Sequence, residues 1–269
     1  QVITTILDIQ PRLTSTGAAK TPEEIVDELA AEFESKCPGD LDIEKAGENT
    51  FFKGPTGQMD SLSTVLLQES ERFNSLLAVI RASLRDLRKA IKGLVVMSVD
   101  LEKMFNSFLN NQVPATWTKA AYPSLKPLAS WYLDLIKRVE IQQKWLLEGE
   151  PKCFWLPGFF FTQGFLTGAL QKFARKYQVP IDRLNFSFKL CDFYTEDQVE
   201  GPPEDGQYIW GLFLEAAQWS DEEQILKESL PGKMSCPLPM VHFLPKKDYK
   251  ESPDEYQCPL YRTSIRAGV

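Results

Sequence analysis

The spacing of hydrophobic and polar positions changes once along this sequence. In the first part, apolar residues recur every three or four positions. Phe73, Leu76, Leu77, Ile80, Leu84, Leu87, Ile91, Leu94 and Val95 step in this way, which predicts a long helix with one buried face. Upstream, Thr21-Pro22-Glu23-Glu24 is a helix-start signal, with Thr21 as cap, Pro22 in the first turn and Glu24 closing a capping box. Ile25, Val26, Leu29, Ala30 and Phe33 continue it as one stripe, and Pro38-Gly39 ends it. A linker containing Gly, Asp and Glu runs to about Asp60. Ser98 is placed to cap a further helix carrying Leu101, Met104, Phe105 and Phe108. Pro114, Pro123 and Pro127 mark a rigid connection before a helix over Leu128–Leu147, which Gly149 stops.

After Pro180 the period becomes two. Leu184, Phe186, Phe188 and Leu190 alternate with Asn185, Ser187, Lys189 and Cys191, the pattern of a half-buried strand. Asp205-Gly206 is a turn signal leading into a strand over Tyr208–Leu214. Val241–Leu244 and Tyr256–Ile265 read as two more, with Pro237, Pro239 and Pro245 restricting pairing near the third. Helices first and antiparallel strands last is an α+β order. The expected division is a helical part over residues 1–178 and an antiparallel β part over 179–269.

At the junction lies FWLPGFFFTQGFLTGALQKFARKYQVPID, Phe154–Asp182. Between Lys152 and Lys172 it carries no charge, and its length invites a membrane span of about 20 apolar residues. Pro157-Gly158 interrupts that span early and Gln163 sits in its middle. The run therefore predicts a loop, Phe154–Gly158, followed by a buried helix, Phe159–Tyr177. Its aromatic residues are too dense for one helical stripe. Most of them would fill the joint between helices and sheet, and Trp155 and Phe159 are candidates to anchor a contact with another domain.

Composition narrows the chemistry. At 269 residues, 43% hydrophobic and 12% aromatic, the protein is able to bury a core. A net charge of −7 argues against nucleic acid as a partner. No basic, apolar and small-residue sequence marks a signal at Gln1–Gln10. The sequence starts without Met and ends at Val269 in a strand-like segment, so it reads as a piece of something longer. The five cysteines are far apart and His242 is the single histidine, so neither a zinc site nor a disulfide framework is expected. No phosphate loop is present: Gly232-Lys233 is followed by Met234. Neither a dinucleotide fingerprint nor a nucleophile elbow occurs. A Ser-His or Cys-His nucleophile would have to use His242, which in Val241-His242-Phe243 reads as a solvent-facing or locally hydrogen-bonded residue.

Two charge patterns stand out. Asp192, Glu196, Asp197, Glu200, Glu204 and Asp205 crowd one hairpin loop, a solvated run or a surface for a basic neighbour. Arg81, Arg85, Arg88, Lys89 and Lys92 recur at helical spacing opposite the Leu and Ile face, with Asp86 opposing them. This stripe is either a solvated face or a contact with an acidic partner.

Four runs carry a family resemblance. They are Phe154–Asp182, RFNSLLAVIRASLRDLRKAIKGLVVMS (Arg72–Ser98), YPSLKPLASW (Tyr122–Trp131) and GLFLEAAQW (Gly211–Trp219). In this order they resemble the C-terminal domain of dynein heavy chains, with wording closer to the axonemal (ciliary and flagellar) than to the cytoplasmic kind. The resemblance implies helices followed by an incomplete β-barrel, continuing past this endpoint with further strand sequence. It also implies a non-catalytic regulatory domain packed on the ring of AAA+ modules of the same heavy chain. ATP and Mg would be held elsewhere in that ring, with none in this segment. Partners would be the ring modules and, through the parent motor, microtubules and other dynein complex subunits. Neither nucleic acid nor membrane is implied, and the location would be the cytoplasmic cytoskeleton and the cilium axoneme. The alternatives are a free-standing helical adaptor using the basic stripe and a small hydrolase using His242.

Overall fold

The computed structural model describes residues 20–250, apart from 49, 52 and 54–56. Helix α1, Pro22–Lys36, begins at the expected capping box, with Thr21 accepting from the Glu24 amide, and buries Val26, Ala30 and Phe33. Helix α2, Ser61–Ile91, is the axis of the helical part: Leu62, Leu66, Phe73, Leu76, Leu77, Ile80, Leu84 and Leu87 line its buried face. Around it pack α1, α3 (Val99–Leu109), α4 (Ala115–Ala120) and α5 (Leu128–Glu148), which Gly149 ends. Aromatic contacts knit them together. Phe33 stacks on Tyr132 at 4.1 Å, Phe108 meets Trp117 at 5.8 Å, and Trp117 meets Trp131 at 5.7 Å. The linker before α2 is tied down as well: Asn74 accepts from the Leu41 amide at 2.8 Å and donates to its carbonyl at 3.0 Å.

Strand β1, Cys153–Trp155, leads through a single 3₁₀ turn to α6, Thr162–Tyr177. Seven strands follow: β2 (Leu184–Leu190), β3 (Gln207–Trp210), β4 (Phe213–Glu215), β5 (Ala217–Ser220), β6 (Ile225–Glu228), β7 (Ser235–Pro237) and β8 (Val241–Lys247). The main sheet runs β1-β3-β8-β2, and β4–β7 and β5–β6 are two-stranded pairs. The architecture is α+β with a C-terminal sheet region and, among the described residues, no closed barrel, as an incomplete barrel requires. One pair departs from antiparallel order. β1 lies parallel to β3, so the helical part supplies an edge strand to the sheet. The main apolar core runs from Val26 and Phe33 through α2 to Ile209, and a smaller one gathers Cys153, Val199 and Met240.

Several expected boundaries shift, each for a physical reason. Helix α2 stops at Ile91, because Gly93 turns left-handed (φ 70°) and the Leu94 amide folds back to the Lys89 carbonyl at 2.9 Å. Leu94 and Val95 therefore leave the buried stripe, and Leu94 is 72% exposed. Helix α6 starts at Thr162 rather than Phe159, and it buries Phe165, Gly168 and Ala169 instead of its whole first half. The strand expected over Tyr208–Leu214 is two, β3 and β4, divided at Gly211. There φ is 86°, and a Cβ would lie 2.3 Å from the Trp155 ring. In β2 the alternation breaks: Ser187 is buried, donating to the Leu244 carbonyl at 3.1 Å, while Phe188 is 62% exposed. Strand β8 runs through Pro245. Its other neighbour, β3, pairs only as far as Phe243, so the missing amide costs no bond on that side. The segment Tyr256–Ile265 lies outside the described residues.

A buried acid ties α2 to the turn before α6. Glu69, on the core face of α2, accepts hydrogen bonds from the Phe160 amide, the Phe161 amide at 3.0 Å and Arg72 at 3.2 Å. Burial pushes its carboxyl up, while the two amides and Arg72 pull it back. No side chain of α6 or its flanks caps that helix, so Glu69 serves the turn that precedes it. Glu69→Ala is expected to cost about 3 kcal/mol by leaving two amides unpaired. Glu71→Ala, at an exposed position away from the core face, should stay within about 0.5 kcal/mol. Chemical denaturation of the two variants decides it: equal losses would remove the joining role.

Candidate interdomain interface

The five-cation stripe on α2 is divided. Arg81 donates to the Pro38 carbonyl at 3.2 Å and pairs with Asp40. Arg88 donates to Asp27 at 2.9 Å and pairs with Glu34, while Lys92 stands 3.8 Å from Asp27. These three fasten α1 and the turn after it onto α2. Arg85 donates only to the Arg81 carbonyl, at 3.1 Å, and Lys89 is exposed. Among the described residues neither has a carboxylate within ion-pair distance. Three residues expected on one outward face are thus internal fasteners, and Arg85 and Lys89 stay exposed.

The two aromatic candidates part in the same way. Phe159 is 4% exposed and stacks on Phe165 at 4.3 Å, with Trp145 edge-on at 6.3 Å. It is a core residue. Trp155 is half-buried and stacks on Trp210 at 5.6 Å, with Lys137 above both rings at 4.6 and 5.2 Å. Trp210 and Lys137 went unseen in the sequence because Trp210 meets Trp155 only through the parallel β1–β3 pairing, and Lys137 reaches both rings only from α5. Beneath this platform lies a buried ion pair of Asp134 and Arg138, with the half-exposed Lys126 beside it. Asp134 accepts from Lys126 at 2.6 Å and from Arg138 at 2.7 Å. The Arg138 guanidinium sits 3.9 Å from the Tyr122 ring and 5.3 Å from Trp155, and it reaches the Phe159 carbonyl at 3.4 Å.

The acidic hairpin turns partly inward. Glu196 pairs with Lys144 on α5 at 3.1 Å, and Asp205 pairs with Lys176 on α6 at 2.7 Å while accepting from the Tyr177 hydroxyl at 2.7 Å. His242, expected to face solvent or bond locally, is part-buried, and its Nε2 lies 2.7 Å from the Asp205 carbonyl, 37 residues away. Cys37, Cys153, Cys191 and Cys236 are free thiols, and burial pushes Cys153 up to about 11. Among the described residues no group of three or more His, Cys, Asp or Glu could hold a metal ion, and no helix is long and apolar enough to cross a membrane.

The profile of the C-terminal domain of dynein heavy chains matches residues 1–269. The protein belongs to this dynein C-terminal domain family. It is 48% identical to dynein axonemal heavy chain 6 of Homo sapiens over 287 residues, covering 100% of the sequence and 7% of that protein. It is 45% identical to dynein axonemal heavy chain 3 of Mus musculus, covering 95% and 6%. With dynein axonemal heavy chain 12 of Homo sapiens the identity is also 45%, covering 94% and 8%. The 269 residues therefore span less than a tenth of the length of these relatives. In this dynein C-terminal domain, the members of the α2 stripe without a carboxylate partner among the described residues are Arg85 and Lys89, and the half-buried aromatic candidate is the platform of Trp155, Trp210 and Lys137.

Asp134 holds the guanidinium that lies against the platform's Trp155. Burial pushes its carboxyl up, but the hydrogen bonds from Lys126 and Arg138 outweigh this and hold the group below its ordinary 3.8. The stability it confers is complete above that ordinary value and is lost as pH falls through the lowered one. Asp134→Asn should cost about 3 kcal/mol at neutral pH by leaving Arg138 buried and unpaired. It should also flatten the acid limb of the stability curve below pH about 3.8. Denaturation curves recorded from pH 2 to 8 test both, and an acid limb unchanged in the variant would show that another carboxylate governs it.

Proposed function

We propose that this protein is a non-catalytic regulatory domain of an axonemal dynein heavy chain. It packs on one face of the AAA+ ring and modulates the coupling between nucleotide state and movement along microtubules. ATP and Mg are held in the ring, and the domain meets microtubules and other dynein subunits only through the parent motor. Its place is the cytoplasmic cytoskeleton of the cilium axoneme. The observation that carries this reading is the pattern of coverage: relatives named as axonemal heavy chains match the sequence almost end to end over 6–8% of their own length. The missing phosphate loop supports it from the sequence side. The reading as a free-standing adaptor loses ground, because its binding stripe is largely occupied by α1 and the turn after it.

The test uses the intact motor. Arg85→Glu with Lys89→Glu removes the two unpaired cations without touching the core, and exposed charges contribute about 0–1 kcal/mol to stability. ATP hydrolysis by the ring should persist, while microtubule gliding velocity should change, because a domain contacting several modules biases which ring states are populated. Unchanged gliding would count against the regulatory role of this face. Saturable binding of a fluorescent ATP analogue by the 269-residue protein itself would overturn the non-catalytic reading.

A further inference from the structure

The connection between α2 and α3, together with the first residue of α3, holds five apolar side chains in six consecutive positions: Leu94, Val95, Val96, Met97 and Val99. All are exposed, Val96 at 89% and Val99 at 66%. Single exposed apolar residues are ordinary on protein surfaces, whereas a contiguous group marks a contact. The segment is also held in shape from both ends. At the α2 end the Gly93 amide donates to Ala90 at 3.0 Å and the Leu94 amide to Lys89 at 2.9 Å. At the α3 end Ser98 accepts from the Leu101 amide at 3.3 Å, and its carbonyl receives the Glu102 amide at 2.9 Å. In such a helix-ending turn, the residue in Leu94's place ordinarily packs on an apolar residue in Lys89's place. Here that position is a lysine, and Leu94 is left without that apolar seat.

We propose that Leu94–Val99 is the anchor by which this domain docks into an apolar socket, bordered by carboxylates, on another domain of the same heavy chain. The inference rests on the proposed packing of the domain against its parent motor. Three observations choose this occupant. The protein spans 7% of its relative's length, so the remainder of such a polypeptide is a tethered neighbour at high effective concentration. The loop is pre-shaped by hydrogen bonds at both ends, so little conformational freedom is lost on docking. Arg85 and Lys89, on the exposed face of the helix that leads into the loop, have no carboxylate partner among the described residues and call for acidic groups opposite. A second copy of this domain fits worse. A two-fold contact through the loop would bring the same cations of both copies together.

The experiment places a benzophenone amino acid at Val96 of the full-length heavy chain, prepared as a mixture of isotopically light and heavy polypeptides. Further probes at Leu133 on α5 and Phe188 on β2, both exposed, sample other faces. Irradiation should join Val96 to a peptide of the same polypeptide outside these 269 residues that carries apolar side chains and at least one Asp or Glu. Leu94→Asp should lower that yield about tenfold, the effect of one strong contact residue. Because Leu94 is exposed, the variant should melt with the parent. Light-to-heavy products would overturn the proposal in favour of self-association. Silence at Val96 with products from Leu133 or Phe188 would overturn the anchor and leave docking standing. Silence at all three would overturn docking as well.

Discussion

A carboxylate inside the core sets the geometry of this domain. Glu69 occupies a position on α2 in register with Leu62, Leu66 and Phe73, on the buried face of that helix. A charge there is tolerable only when its lone pairs are used, and the Phe160 and Phe161 amides use them. This ties the turn before α6 to the N-terminal third of the longest helix. It thereby sets where β1 emerges, and β1 sets where β3 lies. The joint between helices and sheet is therefore polar at its centre and aromatic around it. Phe154, Phe159, Phe165 and Trp145 pack in one group, and Phe73, Phe160 and Tyr122 in another.

The charges on α2 show how proximity in space redistributes a linear pattern. Opposite the leucine face, five cations look equivalent. Folding brings Asp27, Glu34 and Asp40 from α1 and its following turn against three of them, and these pairs become part of the scaffold. What remains is narrower and better defined: Arg85 and Lys89 on the approach to an exposed apolar loop. An acidic domain can thus present a local cationic edge beside an apolar anchor, the combination suited to fixing one docking arrangement against others.

The indole platform has a similar origin. Trp155 alone reads as an aromatic in a dense run, and Trp210 as part of a longer strand. The parallel pairing of two short strands brings them to 5.6 Å, and Lys137 from α5 covers both. Arg138, held by Asp134, supports the arrangement from within. A charge cluster this well buried orients aromatic neighbours more than it adds net stability.

Local chemistry determined much of this from sequence. Thr21 and Glu24 set the start of α1, Ser98 the start of α3 and Gly149 the end of α5, because caps are satisfied within a few residues. The periods of 3.6 and 2 separated helices from strands, and the four long runs carried the family. Tertiary structure decided the rest. The Glu69 signal, an acid on a leucine face, was present in the sequence, but the amides it accepts from lie 91 and 92 residues away. The end of α2 at Gly93, the split at Gly211 and the exposure of Leu94 and Phe188 depend on which side a neighbour covers. Periodicity tells which residues share a face; only the folded protein tells what that face meets.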